Sequence, residues 1–243
     1  MMNNLLLGIC FIITASILGS SFEAGKKYDN INKMTIQVKG FASKDIVSDL
    51  GTWSGNFNVT NPDLKQAFSD IQIIKSKVLT FFNNMGVETN KIQFSAINTE
   101  TLYEQVKADY GYVPSNTVIG YKLNQMISIE LADVKKIEEI SKLSTNLIEQ
   151  GINFDSHSPQ YFYTKIEELK LEMLANSATD AKNRAEKLAD NTDAEVGNLI
   201  SASQGVFQIT SKNSQEISSY GMYDTYSIDK TISAVITAEF EVK

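Results

Sequence analysis

Between Tyr163 and Asp190 the chain runs for 28 residues without a proline or a glycine. Ile166, Leu169, Met173, Ser177, Ala181, Ala185 and Leu188 recur at spacings of three or four. This is the apolar stripe of an amphipathic helix. The opposite face carries Glu168, Glu172, Lys182, Glu186 and Lys187. Asp180 with Arg184, and Lys182 with Glu186, stand four apart, where side chains meet on a helix surface. About 26 helical residues span roughly 39 Å, enough to cross a small domain. The stripe is bulky at first and small after Ala178. The small half predicts close backbone approach, either by a sheet of the same chain or by a second subunit at Ala178, Ala181 and Ala185. Strand-like runs flank the helix on both sides, so it must lie against a sheet.

The rest of the chain supplies that sheet. Met34–Gly40 and Gly51–Thr60 alternate apolar and polar residues and read as strands, with Ser43–Leu50 as their connection. Asn61-Pro62-Asp63 is a helix-start signal, with Asn61 read as the cap, and Met85-Gly86 ends the helix. Lys91–Gln105 and Thr117–Leu131 read as long strands of a hairpin, with Lys107–Ser115 as a loop broken by Gly111 and Pro114. Asp133 caps a helix that Gly151 closes. Gly151–Tyr163 is a strand, Glu195–Ile209 another, Ser211–Ser227 a polar loop, and Asp229–Lys243 the last strand. The order β-β-α-β-β-α-β-α-β-β predicts an α+β fold of antiparallel sheets with helices packed on one face.

Leu5–Gly19 is apolar or small throughout and carries no charge. It is too short for a comfortable membrane span and fits the apolar region of an export signal. Residues 1–24 are therefore expected to be a cleaved signal peptide or, because Met1–Asn4 holds no Lys or Arg, a retained signal-anchor offering a membrane tether. Residues 25–33 read as a flexible lead, and residues 34–243 as one domain.

The chain has one cysteine, Cys10, and one histidine, His157. No intramolecular disulfide can form, and a Cys/His zinc site cannot be assembled from one of each without carboxylates. His157 lies in a polar run that does not resemble a nucleophile elbow and reads as a surface or turn histidine. The carboxylates Asp45, Asp49, Asp109, Glu130 and Asp133 are the raw material for acid–base or metal chemistry, but they read as solvated or capping groups. No catalytic set, no metal site and no cofactor motif is expected. A net charge of −7 and no basic run longer than two residues argue against nucleic acid as partner. Nine of the ten tyrosines (103, 110, 112, 121, 161, 163, 220, 223 and 226) suit either strand faces or a contact surface, with Tyr110 and Tyr112 the leading candidates.

Several segments together resemble one family. TIQVKGFASKDIVSDLGTWSGNFNV resembles the opening of the SIMPL domain, with Gly40 and Asp49 on its pattern and Ser48 where that family usually has proline. IQFSAINTETLY, and IGYKLNQMISIEL with Gly120 and Tyr121, resemble its central strands. The helix from Tyr163 resembles its core at Asp180, Ala181, Arg184, Ala185, Leu188 and Ala189, and TISAVITAEFEV its last strand. The resemblance covers Met34–Lys243. It implies an exported, envelope-located protein that self-assembles, because relatives include a periplasmic protein forming a ring- or channel-like oligomer and exported proteins linked to oxidative-stress defence. The expected partner is a second copy of the chain. The alternative is a monomeric periplasmic module that binds a ligand or another partner.

Overall fold

The computed structural model describes residues 34–108 and 110–243. The segment 1–24 expected to be an export signal, the expected lead at 25–33, Cys10 and Asp109 lie outside the described residues. Among the described residues eleven strands and three α-helices follow in the order β1 (Thr35–Val47), β2 (Leu50–Asn61), α1 (Leu64–Asn84), β3 (Ile92–Phe94), β4 (Asn98–Ala108), β5 (Gly111–Leu131), α2 (Val134–Leu143), β6 (Asn153–Ser156), β7 (Gln160–Phe162), α3 (Ile166–Asp190), β8 (Val196–Gln204), β9 (Gln208–Ser211), β10 (Met222–Tyr223) and β11 (Asp229–Val242). The fold is α+β, built on two largely antiparallel sheets. The chain divides into two compact units, one of residues 44–169 and 208–232, the other of residues up to Ser43 with 170–207 and 233–243.

The larger unit is organised on β2 and β5, paired antiparallel from Gly51 with Leu131 to Asn61 with Tyr121. β3 and β4 pair with the far side of β5, β6 and β7 with the far side of β2. Alternation points Trp53, Phe57, Leu123, Ile127 and Ile129 to one face, and α1 and α2 cover it with Ile71, Val78, Phe82, Ile137 and Ile140. Burying each of these large side chains contributes about 1.5–3 kcal/mol. Gly55 makes room in this layer. A Cβ there would lie 2.5 Å from Phe154 Cζ, and the Phe154 ring stacks with Trp53 at 6.1 Å.

Helix boundaries follow cap chemistry. Asp63, not Asn61, caps α1 by accepting from Gln66 N at 2.8 Å, while Asn61 Oδ1 accepts from Asp63 N at 3.0 Å. Asp133 caps α2 through Lys136 N at 3.0 Å. After α2 the chain tightens into a 3-10 stretch at Ser144–Gln150, closed by Gly151 at φ 76°, the left-handed turn that favours glycine.

The smaller unit places β11 between β1 and β8, and α3 packs on these strands through Ala181 and Ala185 against Val38, Ile236, Ala238 and Phe240. Its buried stripe is Met173, Ser177, Ala181, Ala185 and Ala189, and Leu188 is exposed. The buried stripe thus advances by four residues at every step and ends on Ala189, where the sequence reading had Leu188.

Several boundaries differ from the sequence reading: Lys91–Gln105 is not one strand but β3 and β4 with a break at residues 95–97, Glu195–Ile209 is β8 and β9 with a break at residues 205–207, and Ser211–Ser227 holds the short β10. β1 continues to Val47, so Ser43–Val47 is strand and only Ser48 and Asp49 connect to β2. Gly151–Tyr163 is two short strands separated by residues 157–159, where His157 N donates to Ser54 O at 3.0 Å. Lys107–Ser115 is not an open loop: β4 and β5 stay paired to Ala108 and Gly111.

Candidate interaction surface

β2 leaves β5 at Tyr121. From there to Gly111, β5 has only β4 beside it among the described residues. Among the described residues the two strands thus form an arm with no third strand beside it. Pro114 inside β5 is tolerated because no further strand asks for its missing N–H. Directly opposed residues share a face, and the pairs are Tyr103 with Val118, Val106 with Val113 and Lys107 with Tyr112. All of these side chains are exposed, and so is Ile119. Tyr110 at the tip is 105% exposed and Tyr112 72%. An isolated two-stranded ribbon is marginal in water, and such a run of exposed Tyr, Val and Ile is the composition of a contact surface rather than a solvated hairpin.

The other candidate contact divides. Ala178 is exposed, but Ala181 and Ala185 are 0% exposed because the chain's own strand occupies the space beside them. A Cβ added to Gly40 of β1 would lie 2.0 Å from Ser177 O and 2.7 Å from Ala181 Cβ. Of the two neighbours the sequence left open for the small half of α3, the sheet of the same chain is the one packed at Ala181 and Ala185, through β1. Beside it, Phe41 N donates to Asp180 Oδ2 at 2.8 Å and Arg184 Nε to the same oxygen at 2.7 Å. The bond from Phe41, aided by Arg184, holds the Asp180 carboxyl below its ordinary range.

The acidic residues do not converge. Asp45 accepts from Thr231 Oγ1 at 2.8 Å and faces Lys212 Nζ at 3.1 Å. The Thr231 bond first, then Lys212, lowers its pKa. Asp49 accepts from Thr164 N and Oγ1 at 2.7 and 2.8 Å, Asp133 is a helix cap, and Asp109 lies outside the described residues. Among the described residues no group of three His, Cys, Asp or Glu side chains is placed to hold a metal ion. The tyrosines do not line one groove either: Tyr161 is buried and Tyr121 packs on the core, while Tyr220, Tyr223 and Tyr226 stand exposed after β9.

His157 is exposed at the edge of a cleft of about 410 Å³ lined also by Ser54, Lys91, Gln93, Ser128 and Glu130. Asn56 Nδ2 lies 3.2 Å from its Nε2 and Ser54 Oγ 3.0 Å from its Nδ1. An amide nitrogen can only donate, so Nε2 accepts and the ring proton sits on Nδ1, donating to Ser54. That arrangement holds the imidazole in place and leaves Ser54 unactivated.

One buried charge escaped the sequence reading. Lys230 is 1% exposed, and its Nζ donates to Ser227 O. Burial pushes its pKa down, partly countered by Asp224. Burial pushes Asp224 up, but bonds from Ser227 and Tyr226 and the charge of Lys230 outweigh it and leave it low. The signal was parity: Lys230 shares the inward register of Ile232, Ala234 and Ile236 on β11. It ties down the end of the polar segment before β11 through Ser227.

The family model described as SIMPL, protein of unknown function (DUF541), matches residues 36–240. No curated protein matches the chain.

Proposed function

The chain belongs to the SIMPL family, and from that premise we propose that it is a non-enzymatic protein exported to the bacterial cell envelope, where it assembles with copies of itself. The observation that carries this reading is the β4–β5 arm, exposed on both faces and rich in Tyr, Val and Ile. Exposed ribbons of this kind gain stability by adding strands or by burying their side chains against a partner. The apolar Leu5–Gly19 segment supports export. A connection with stress defence would act through assembly in the envelope, since Cys10, in that leader, is the chain's sole cysteine.

A second reading, a monomeric envelope module that binds a polar ligand, is favoured by the cleft beside His157 with its hydroxyl, amide and charged lining. Two experiments test these readings: the first tests the export that both require, and the second separates assembly from a monomeric module. Fractionation of bacteria expressing the full chain should place it in the envelope; recovery wholly from the cytoplasm contradicts export. Tyr110→Ser combined with Tyr112→Ser should lower self-association with the fold intact; unchanged assembly removes the arm tip from the account.

A further inference from the structure

We infer that the outer edge of β4 pairs antiparallel with the same edge of a second copy, centred on Tyr103. The inference rests on the assembly reading above and specifies its contact.

The arm has two edges, and they are not alike. Extra residues fall on β5, one at Ile119 and two more within Ser115–Thr117, where the register shifts against Tyr103 and Gln105. β5 also holds Pro114, which brings no N–H. Irregularity and proline are the devices that blunt an edge against pairing. β4 has neither: it is an 11-residue strand without proline or glycine, and β5 is its one strand partner among the described residues. Its outer N–H and C=O groups face outward as a template for another strand.

Symmetry then restricts the partner strand. Two copies paired antiparallel are related by an axis normal to the sheet, which keeps each residue on its own face. A residue therefore meets either itself or one an even number of positions away. Full overlap of Asn98–Ala108 with its copy sets Tyr103 against Tyr103, Thr101 against Gln105, Thr99 against Lys107, Leu102 against Glu104 and Glu100 against Val106. The neighbouring registers are closed by charge. Sliding toward the arm tip sets Glu104 against Glu104. Sliding the other way sets Glu100 against Glu104 twice. Like charges directly opposite are destabilising, whereas an aromatic pair is favourable. The two glutamates therefore bracket the single register that uses the whole strand.

Cysteine cross-linking tests this in the full chain carrying Cys10→Ser. Opposed Cα atoms in an antiparallel pair lie about 4.5–5.5 Å apart, within disulfide reach. Under mild oxidation, Tyr103→Cys should give a disulfide-linked dimer at least about tenfold faster than Gln105→Cys alone, because held pairs react at high effective concentration. Thr101→Cys mixed with Gln105→Cys, which keeps Tyr103, should likewise link at least about tenfold faster than either does alone. If the wild-type chain assembles but Tyr103→Cys links no faster than Gln105→Cys and the mixture links no faster than either of its members, this contact is wrong and the assembly reading stands. If the wild-type chain is a monomer at every concentration, both fall together.

Discussion

Gly40 has no side chain because the backbone of α3 is already where its Cβ would go. Gly40→Ala would set a methyl 2.0 Å from Ser177 O and 2.6 Å from Ala181 N, and backbone atoms cannot swing aside as a side-chain tip can. The expected loss is about 3 kcal/mol, the upper range for overpacking, read as a fall in the urea midpoint; a loss near zero would mean that α3 does not hold β1 this closely. Asp180, next to this contact, makes a pH-dependent contribution. Its folded pKa is lowered by Phe41 N and Arg184, so in acid the folded chain binds fewer protons than the unfolded one. The stabilisation is complete above the ordinary carboxylate range and is lost as pH falls through and below it. Asp180→Asn should therefore flatten the acid side of the stability profile between about pH 5 and pH 2, measured as urea midpoint against pH. A profile that keeps the wild-type slope would show that the carboxylate is not held in this way. Asp45, lowered by Thr231 and Lys212, keeps part of the slope in either chain.

At the scale of elements, cap chemistry and period made most of the fold legible. Asp133 and Gly151 bounded the stretch from α2 through the 3-10 turn, and Ile232, Ala234, Ile236, Ala238 and Phe240 announced β11 by simple alternation. What escaped the reading was the occupant of a face. Small residues at 181 and 185 say that a backbone comes close, but not whose, and here it is that of β1. Gly111 and Pro114 read as breakers because in a central strand they would be; only the absence of a third strand lets the pairing run on to Ala108 and Gly111. The arm's exposed pattern predicts how it responds to change. Tyr110→Ser with Tyr112→Ser should alter folding stability by no more than about 0.5 kcal/mol, as at other exposed sites, by urea denaturation of dilute protein. A larger loss would mean that the tip packs on the chain's own core, contrary to its exposure.

At the scale of the whole molecule, the α3 helix and the β2–β5 sheet each carry a core of their own, and the family match spans both units. Neither core needs a partner to close. The arm is different: Tyr103, Val106, Tyr112, Val113, Val118 and Ile119 stand exposed, and the net charge of −7 works against casual aggregation while leaving a specific strand contact open. The central claim is that this protein self-assembles. Multi-angle light scattering of the purified full chain over a range of concentrations, in mild detergent if it stays with membranes, tests that claim directly. A discrete species of several times the 27.0 kDa chain mass is the predicted result. A mass that stays at that of one chain up to the highest concentration would contradict it and shift attention to the cleft beside His157.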